Sequence, residues 1–248
     1  MQEENMIPFL ILAFIVGAAI GSFLNVVIYR IPKGESIVFP NSKCQNCQTP
    51  LRWWHNIPLV SWFLLRGKCY FCSEKISMQY PFIELIAGLI FVILYIKIGL
   101  VWQLPFVAAS FYALLALTMI DFEYMAVPDS VNFTALVFAL VQPDFINALF
   151  YAAIAAGGLY LIGKLSSFLA KKEAMGSADV IVAGTMGALL GFPNFFVALF
   201  VSALLAMIPS LINRERGVPF VPFLALATFI IYLYNTQTTR LIGKLIYG

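Results

Sequence analysis

Residues Met6 to Ile28 read MIPFLILAFIVGAAIGSFLNVVI and contain no charged side chain. An apolar helix needs about 20 residues to cross a hydrocarbon core of about 30 Å, so this run is long enough to span a membrane. A secretory signal peptide begins with basic residues, whereas Glu3 and Glu4 make the preceding segment acidic. We therefore expect a first transmembrane helix that is retained in the protein.

The rest of the chain shares this apolar character. Of its 248 residues, 62% are hydrophobic and 11% are charged, against about 25% charged residues in an ordinary soluble domain. Seven further apolar runs follow the first. The fourth and sixth of the eight, 131–141 and 180–190, are too short to cross a membrane by themselves at about 1.5 Å per residue. The sequence predicts an all-α polytopic membrane protein with about eight transmembrane helices. The further apolar runs cover 82–100, 102–120, 131–141, 145–165, 180–190, 195–212 and 220–234.

A polar stretch, 29–80, separates the first two runs and predicts a small separate domain. Basic loops favour the cytoplasmic side of a membrane, so we expect this domain in the cytoplasm and the N-terminus outside. The stretch has two acids, Glu35 and Glu74, against seven basic residues: Arg30, Lys33, Lys43, Arg52, Arg66, Lys68 and Lys75.

Basic residues in the later loops partly agree with the predicted orientation in the membrane. Counting spans places Arg240 and Lys244 outside, which disagrees with the rule. The net charge of +3 is small, and we expect membrane lipid but no nucleic acid as a partner. Two further loops that fall in the cytoplasm agree with the rule, because they carry Lys164, Lys171, Lys172, Arg214 and Arg216.

All four cysteines lie in the polar domain, as the pairs Cys44/Cys47 and Cys69/Cys72 with 21 residues between the pairs. Each C-x-x-C pair can place two thiolates around one tight turn, and two such turns facing each other predict a tetrahedral zinc site. Disulfides are the alternative, although a cytoplasmic domain is reducing. A structural zinc would stabilise a domain of about 50 residues, which builds little core. We expect His55, the only histidine, to be a surface or packing residue.

Five acids lie beside the apolar runs. An ionisable group near membrane depth costs at least about 2.5 kcal/mol unless it faces water or a partner, so each acid is a functional candidate. Asp129 follows Pro128 and precedes an apolar run, and the alternative is that it only caps a helix. The five acids are Glu84, Asp121, Asp129, Asp144 and Asp179.

Two of these acids share a predicted depth. Asp121 ends the third run and Asp179 begins the sixth, so the topology places both at the cytoplasmic boundary. Two carboxylates that meet there could share a proton. One would then activate water while the other polarises a peptide carbonyl, as in aspartic proteases. A helix cap at Asp179 after a turn at Gly176 is the alternative explanation.

Several motifs occur in a fixed order along nearly the whole chain. They are GSFLNVVIYRIP (21–32), IPLVSW (57–62) and RGKC (66–69) within the cysteine domain, YPFIEL (80–85), and the later segments that hold Asp121 and Asp179. Together they resemble the bifunctional type IV prepilin peptidases. The resemblance implies an intramembrane aspartic peptidase of the bacterial inner membrane. Such an enzyme removes the basic leader of prepilins or pseudopilins on the cytoplasmic side.

The resemblance also implies roles for particular residues. Asp121 and Asp179 correspond to the catalytic aspartates, and Asp129 to a supporting acid. The family then methylates the new N-terminus with S-adenosylmethionine. Near the start of the second span, Glu84 could bind the new α-ammonium or take its proton, because only a neutral amine attacks a methyl donor. Pairing of Glu84 with a loop Arg or Lys is the alternative. The methyl-transfer candidates are Gly21, Asn25, Arg30 and Glu84.

The predicted organisation is a first helix (1–28), a four-cysteine domain (29–80) and a peptidase domain (81–248). Ala178 stands where the family has a Gly before the second catalytic Asp, so the local turn must tolerate a Cβ. Because of this difference, a second function remains an alternative: a non-catalytic assembly protein with the same fold. A transporter with a zinc-stabilised domain is a further alternative, for which the acids should lie deep in the membrane. The sequence also differs from the family pattern at Gln45, Gln79 and Ile181.

Overall fold

The computed structural model of the chain describes residues 6–171, 176–212 and 218–247. Helices dominate this described part, which confirms the prediction of an all-α protein. The α-helices are α1 Met6–Arg30, α2 Val60–Leu64, α3 Gln79–Ile98, α4 Leu104–Tyr124, α5 Asp129–Leu140, α6 Phe145–Ala170, α7 Ser177–Leu190, α8 Asn194–Ile212, α9 Val221–Leu233 and α10 Asn235–Tyr247. Some charges used to predict the orientation lie outside the described residues: Glu3, Glu4, Lys172, Arg214, Arg216 and the side chain of Lys244.

Within the described residues, five helices are long and apolar enough to cross a membrane: α1, α3, α4, α6 and α8. The other apolar helices, α5, α7 and α9, have 12, 14 and 13 residues. A helix the length of α7 covers only about 21 Å, which is short of the hydrocarbon thickness. All eight predicted runs therefore form helices, and five of them can span by length. The predicted shortness of the fourth and sixth runs is confirmed, and the eighth run is short as well.

Helix α10 was not predicted. It follows α9 almost directly, and its sequence mixes apolar residues with Thr, Asn and Gln in an amphipathic helical pattern. The Asn194 side-chain amide at the start of α8 donates to the Thr239 hydroxyl of α10 over 3.1 Å. The tail is thus an amphipathic helix attached to α8.

The chain forms two compact units that divide after Leu104. In the first unit, α1 packs closely against α3 because glycines replace larger side chains at the contact. A Cβ on Gly17 would lie 2.6 Å from the Ala87 carbonyl oxygen, and one on Gly21 would lie 2.8 Å from the Glu84 Cα. Small residues allow this close packing of membrane helices.

Short turns build the cysteine segment of the first unit. After each C-x-x-C pair the next residue, Gln48 or Ser73, has a positive φ of 57° or 58°. Its N–H donates back to the first cysteine of the pair, over 2.9 Å in both turns. The two turns therefore have the same backbone design, as the repeated sequence motif predicts.

Helix α7 lies inside the second unit. Its residues from Val182 to Leu190 are buried, and it contacts α5, α6 and α9. Gly187 allows a close approach to α6, since a Cβ there would lie 2.6 Å from the Tyr151 carbonyl oxygen. Because α7 packs on protein, it has no need to reach both faces of a membrane.

Helix α4 joins α5 and α9 in the same unit. The Ser110 hydroxyl donates to the Ala135 carbonyl of α5 over 2.9 Å. The Phe111 ring contacts Phe229 and Tyr232 of α9, at centroid distances of 5.1 and 5.3 Å. These rings join the first half of α4 to the last turns of α9. The two helices are therefore antiparallel, and the start of α9 meets the end of α4, where Asp121 lies.

Candidate catalytic sites and metal centre

Asp121 lies in the last turns of α4 and is 6% exposed. Its carboxylate accepts a hydrogen bond of 3.3 Å from the backbone N–H of Val221. Val221 is the first residue of α9, where backbone N–H groups lack a partner within the helix. The start of α9 thus supplies the donor and a favourable dipole for the buried carboxylate.

Asp179 is the third residue of α7, and Gly176 is the N-cap. The Gly176 N–H donates to the Asp179 carboxylate, as the third residue of a capping box accepts from the N-cap. The carboxylate is half-buried, and its charge interacts with that of Asp121. The structure therefore places the two acids that the sequence paired near enough for their charges to interact, with Asp121 at the end of α4 and Asp179 at the start of α7.

Ala178 lies within the first turn of α7, in a segment without positive φ. Any residue with a Cβ adopts this helical conformation without strain, so Ala178 is compatible with the local turn. The Ala178 carbonyl accepts a hydrogen bond of 3.0 Å from the side-chain amide of Asn132 on α5. Asn132 is fully buried, and its side-chain oxygen has no partner among the described residues. Sequence reasoning missed Asn132, although an Asn inside an apolar run was a usable signal.

The other two candidate acids of this unit, Asp129 and Asp144, lie at helix starts. Asp129 is exposed in the first turn of α5, where Pro128 is the N-cap and no side chain caps the helix. The capping explanation of Asp129 is therefore wrong. Asp144 is the N-cap of α6 and accepts from the Asn147 N–H over 3.5 Å. A cap accounts for Asp144.

Glu84 is the corresponding buried acid of the first unit, at 7% exposure on α3. The backbone N–H of Leu59 donates to its carboxylate over 2.7 Å, and the Ser22 hydroxyl of α1 lies near the same carboxylate. Within the described residues these groups surround the Glu84 carboxylate, in place of the loop Arg or Lys that was the alternative.

Gly21 and Asn25 on α1 shape the surroundings of Glu84. Gly21 gives the close helix contact described above. The Asn25 side-chain amide donates to the Tyr80 carbonyl in the first turn of α3 over 3.2 Å. Beside them lies a cavity of about 540 Å³, whose wall includes Ser22, Asn25, Tyr29, Trp62, Tyr80 and Glu84. This volume lies in the range of small-molecule sites, roughly 300–1,000 Å³.

Arg30 is buried at the end of α1 and also borders the cavity. Its guanidinium donates to the carbonyl oxygens of Ser36 and Pro40, over 2.9 and 2.8 Å. Of the methyl-transfer candidates, Arg30 thus holds the segment after α1, whereas Glu84 presents an acid to the cavity.

The four cysteine sulfurs lie within 4.8 Å of one another, and the residues are free cysteines. A tetrahedral zinc with Zn–S bonds of about 2.3 Å requires sulfurs about 3.8 Å apart. The Cys44 and Cys72 sulfurs are 3.8 Å apart, much further than the ~2.05 Å of a disulfide. The donor set and spacing fit one metal ion held by both pairs.

The surroundings of the thiols differ. Hydrogen bonds from the Thr49 side chain and N–H lower the pKa of the Cys47 thiol to about 6, whereas burial raises the pKa of Cys44 to about 11. A metal ion binds thiolates, so it would hold both groups deprotonated. Cys47 is therefore predisposed to ionise at neutral pH, and the pKa of the Cys69 thiol is lowered as well, in part by the Cys72 and Phe71 N–H groups.

His55 is a packing residue, as expected. Its ring contacts Trp54, Tyr70 and Phe71 at centroid distances of 5.0 to 5.6 Å. The ring Nδ1 accepts from the Arg52 N–H over 3.4 Å, and the buried Nε2 has no partner among the described residues. The sulfur cluster forms without it.

Comparison with known proteins divides the chain in the same way as the structure. The profile of the Bacterial Peptidase A24 N-terminal domain matches residues 15–98, and that of the Type IV leader peptidase family matches residues 108–211. A protein of Neisseria gonorrhoeae is 32% identical over 95% of this chain and 94% of its own length. The chain belongs to the type IV leader peptidase family.

Other family members are similar over the same length. Proteins of Stutzerimonas stutzeri and Pseudomonas aeruginosa are each 30% identical, over 95% and 96% of this chain and 94% of their own lengths. All three relatives bear the name Prepilin leader peptidase/N-methyltransferase. No solved structure gives a significant match. The family thus includes both matched regions of the chain, one in each unit.

Proposed function

We propose that the chain is a membrane-embedded aspartic endopeptidase that cleaves the leader of prepilins or pseudopilins and then methylates the new N-terminus. The pair Asp121 and Asp179 carries the peptidase assignment. The two carboxylates come from different helices, each accepts an N–H from a helix start, and their charges interact. The names of the relatives support both activities.

The chemistry follows from two carboxylates that share one proton. The ionised member of the pair would take a proton from water as the water oxygen adds to the scissile carbonyl. The protonated member would donate to the carbonyl oxygen. The proton taken from water then passes to the leaving amine as the C–N bond breaks. The N–H groups of Val221 and Gly176 would hold the carboxylates in place during these transfers.

We place methyl transfer at the cavity of the first unit. S-adenosylmethionine, when bound, would supply a methyl group on a sulfonium sulfur. Glu84 would bind the new α-ammonium and take the proton that the amine must lose before it attacks. Gly21 and Asn25 would position Glu84 through the α1 contact, and Arg30 would hold the segment that borders the cavity.

The remaining assignments concern the metal, the membrane and Asp129. The four cysteines would hold a structural zinc, since the tetrahedron has no open position for chemistry. All eight apolar helices would be embedded in the bacterial inner membrane. The basic residues of 29–80 support a cytoplasmic position for that domain and for both catalytic acids. Asp129 would be a supporting acid of the peptidase.

One assay tests both activities. The purified protein is incubated with a leader-bearing pilin and labelled S-adenosylmethionine, and mass spectrometry follows cleavage and methylation. Asp121→Asn and Asp179→Asn should each lower cleavage at least about 100-fold, because general acid–base catalysis contributes that much or more. Glu84→Gln should leave cleavage intact and lower methylation of the cleaved product at least about 100-fold, to a residual rate that can still be measured.

Asp144→Asn is the matched control, because it changes another acid at a helix start but keeps an N-cap residue. It should cleave and methylate at the parent rates. Parent-like cleavage by either catalytic variant would refute the aspartic mechanism. Absence of cleavage by the parent protein on its matched pilin would favour the non-catalytic assembly protein.

A further inference from the structure

Leu59 adopts a backbone conformation that is rare for a residue with a Cβ. Its φ is 61° and its ψ is −54°. The Val60 N–H donates to the Pro58 carbonyl over 2.6 Å, which closes a three-residue γ-turn around Leu59. A γ-turn with positive φ is strained, and such strain persists only where the surrounding structure holds it.

The surroundings of Leu59 hold the turn on both sides. The Ser61 N–H and hydroxyl both donate to the Ile57 carbonyl, over 3.1 and 2.8 Å. The Phe63 N–H donates to the Leu59 carbonyl over 3.1 Å as α2 begins. The turn is therefore a fixed part of the first unit.

The strained turn directs one backbone donor. The Leu59 N–H points at the Glu84 carboxylate, and its hydrogen bond of 2.7 Å is short, as charge-assisted bonds are. A carboxylate has about four acceptor positions, of which the Leu59 N–H uses one, and the Ser22 hydroxyl lies near the same group. The others are available to a ligand, and Glu84 lies on the cavity wall.

We infer that Leu59 is a positioning residue for methyl transfer: its γ-turn aims the backbone N–H that fixes the Glu84 carboxylate toward the substrate's α-ammonium. This inference rests on the proposed placement of methyl transfer at Glu84. The amine nitrogen loses a proton to the carboxylate, and its bond to the methyl group forms as the donor's S–C bond breaks. The sulfonium becomes a neutral thioether, so charge and electrons balance.

Substitutions at Leu59 should lower the methylation rate by different amounts. Leu59→Pro removes the N–H and fixes φ near −65°. It should lower methylation at least about tenfold, mainly through a higher KM for the cleaved pilin, with the cleavage rate unchanged. Leu59→Gly keeps the N–H and adopts positive φ without strain, so this conservative variant should retain methylation within about threefold.

Leu59→Val is a milder test, needed in case Leu59→Pro fails to fold. A β-branched residue strongly disfavours positive φ but keeps the N–H. We expect Leu59→Val to methylate at least about threefold more slowly than Leu59→Gly. Leu64→Ala, at an exposed position of α2, is the control for a change in this segment and should match the parent.

A double substitution separates positioning from a general structural role. In a Glu84→Gln background, Leu59→Pro or Leu59→Val should cause no further loss of the residual methylation. Equal methylation by the Gly and Val variants, or a full further loss in the Glu84→Gln background, would overturn the inference while the proposed function stands. Normal methylation by Glu84→Gln alone would instead refute the placement of methyl transfer at Glu84.

Discussion

The backbone N–H of Val221 donates to the Asp121 carboxylate across 100 residues of sequence. The contact joins the first residue of α9 to the end of α4, so it fixes both the acid and the helix start. Asp121 thus has a structural partner as well as a proposed catalytic role. The two contributions can be separated by substitutions that differ in their ability to accept a hydrogen bond.

Asp121→Asn and Asp121→Leu should both be inactive in cleavage but differ in stability. The Asn side-chain oxygen can still accept from Val221, whereas Leu leaves the buried N–H unpaired at a cost of about 1–3 kcal/mol. Thermal unfolding in detergent should therefore show a lower Tm for the Leu variant. Glu123→Gln, at an exposed neighbouring acid, should change neither quantity. Equal Tm values for Asn and Leu would contradict the structural role.

Asn132→Ala should lower both stability and cleavage. The substitution leaves the Ala178 carbonyl without its donor, which costs about 1–3 kcal/mol and loosens the residue before Asp179. We expect a lower Tm and several-fold slower cleavage. Thr134→Ala on the same helix is the control, because its exposed hydroxyl bonds only within α5. Parent-like cleavage by Asn132→Ala would show that Asp179 needs no support from α5.

The acids and cysteines could be predicted because the sequence displays them directly. Lipid burial requires long apolar runs, and metal binding requires thiols at a fixed spacing. Asp121 and Asp179 were paired from their equal predicted depth and from the family resemblance, and in the structure their charges interact. Asp144 was singled out with them, but its place before a helical run already indicated a cap.

The donors to these acids could not be predicted in the same way. Leu59 and Val221 act through backbone N–H groups, which every residue except proline has. Only the fold shows which of these groups reaches Glu84 or Asp121. Helix α10 was missed for another reason, because its apolar residues are spaced along one face and form no continuous run.

Gly21→Ala should impair methylation more than cleavage. The added Cβ would lie 2.8 Å from the Glu84 Cα and from the Ala87 Cβ, so α1 and α3 must move apart. Overpacking of this kind costs about 1–3 kcal/mol and would displace Glu84 from the cavity. Gly157→Ala is the control, since its Cβ meets nothing within 4 Å and the change favours helix α6. Equal methylation by both variants would contradict a role for the close helix contact.

The cysteine cluster predicts about one zinc ion per chain in the purified, reduced protein. Cys69→Ser should remove most of it, because the buried Cys69 sulfur completes the tetrahedron of thiolates. His55→Phe should keep the zinc, since the phenyl ring can retain the contacts with Tyr70 and Phe71. Metal analysis measures both variants.

Limited proteolysis tests whether that zinc is structural. Metal binding would supply much of the folding free energy of a domain with little core, so chelation should expose the segment 29–80 to cleavage. Helices α4 to α9 should stay resistant, because the second unit has its own buried contacts. Reduced protein that resists proteolysis without any bound metal would mean that the cysteine turns fold by their hydrogen bonds alone.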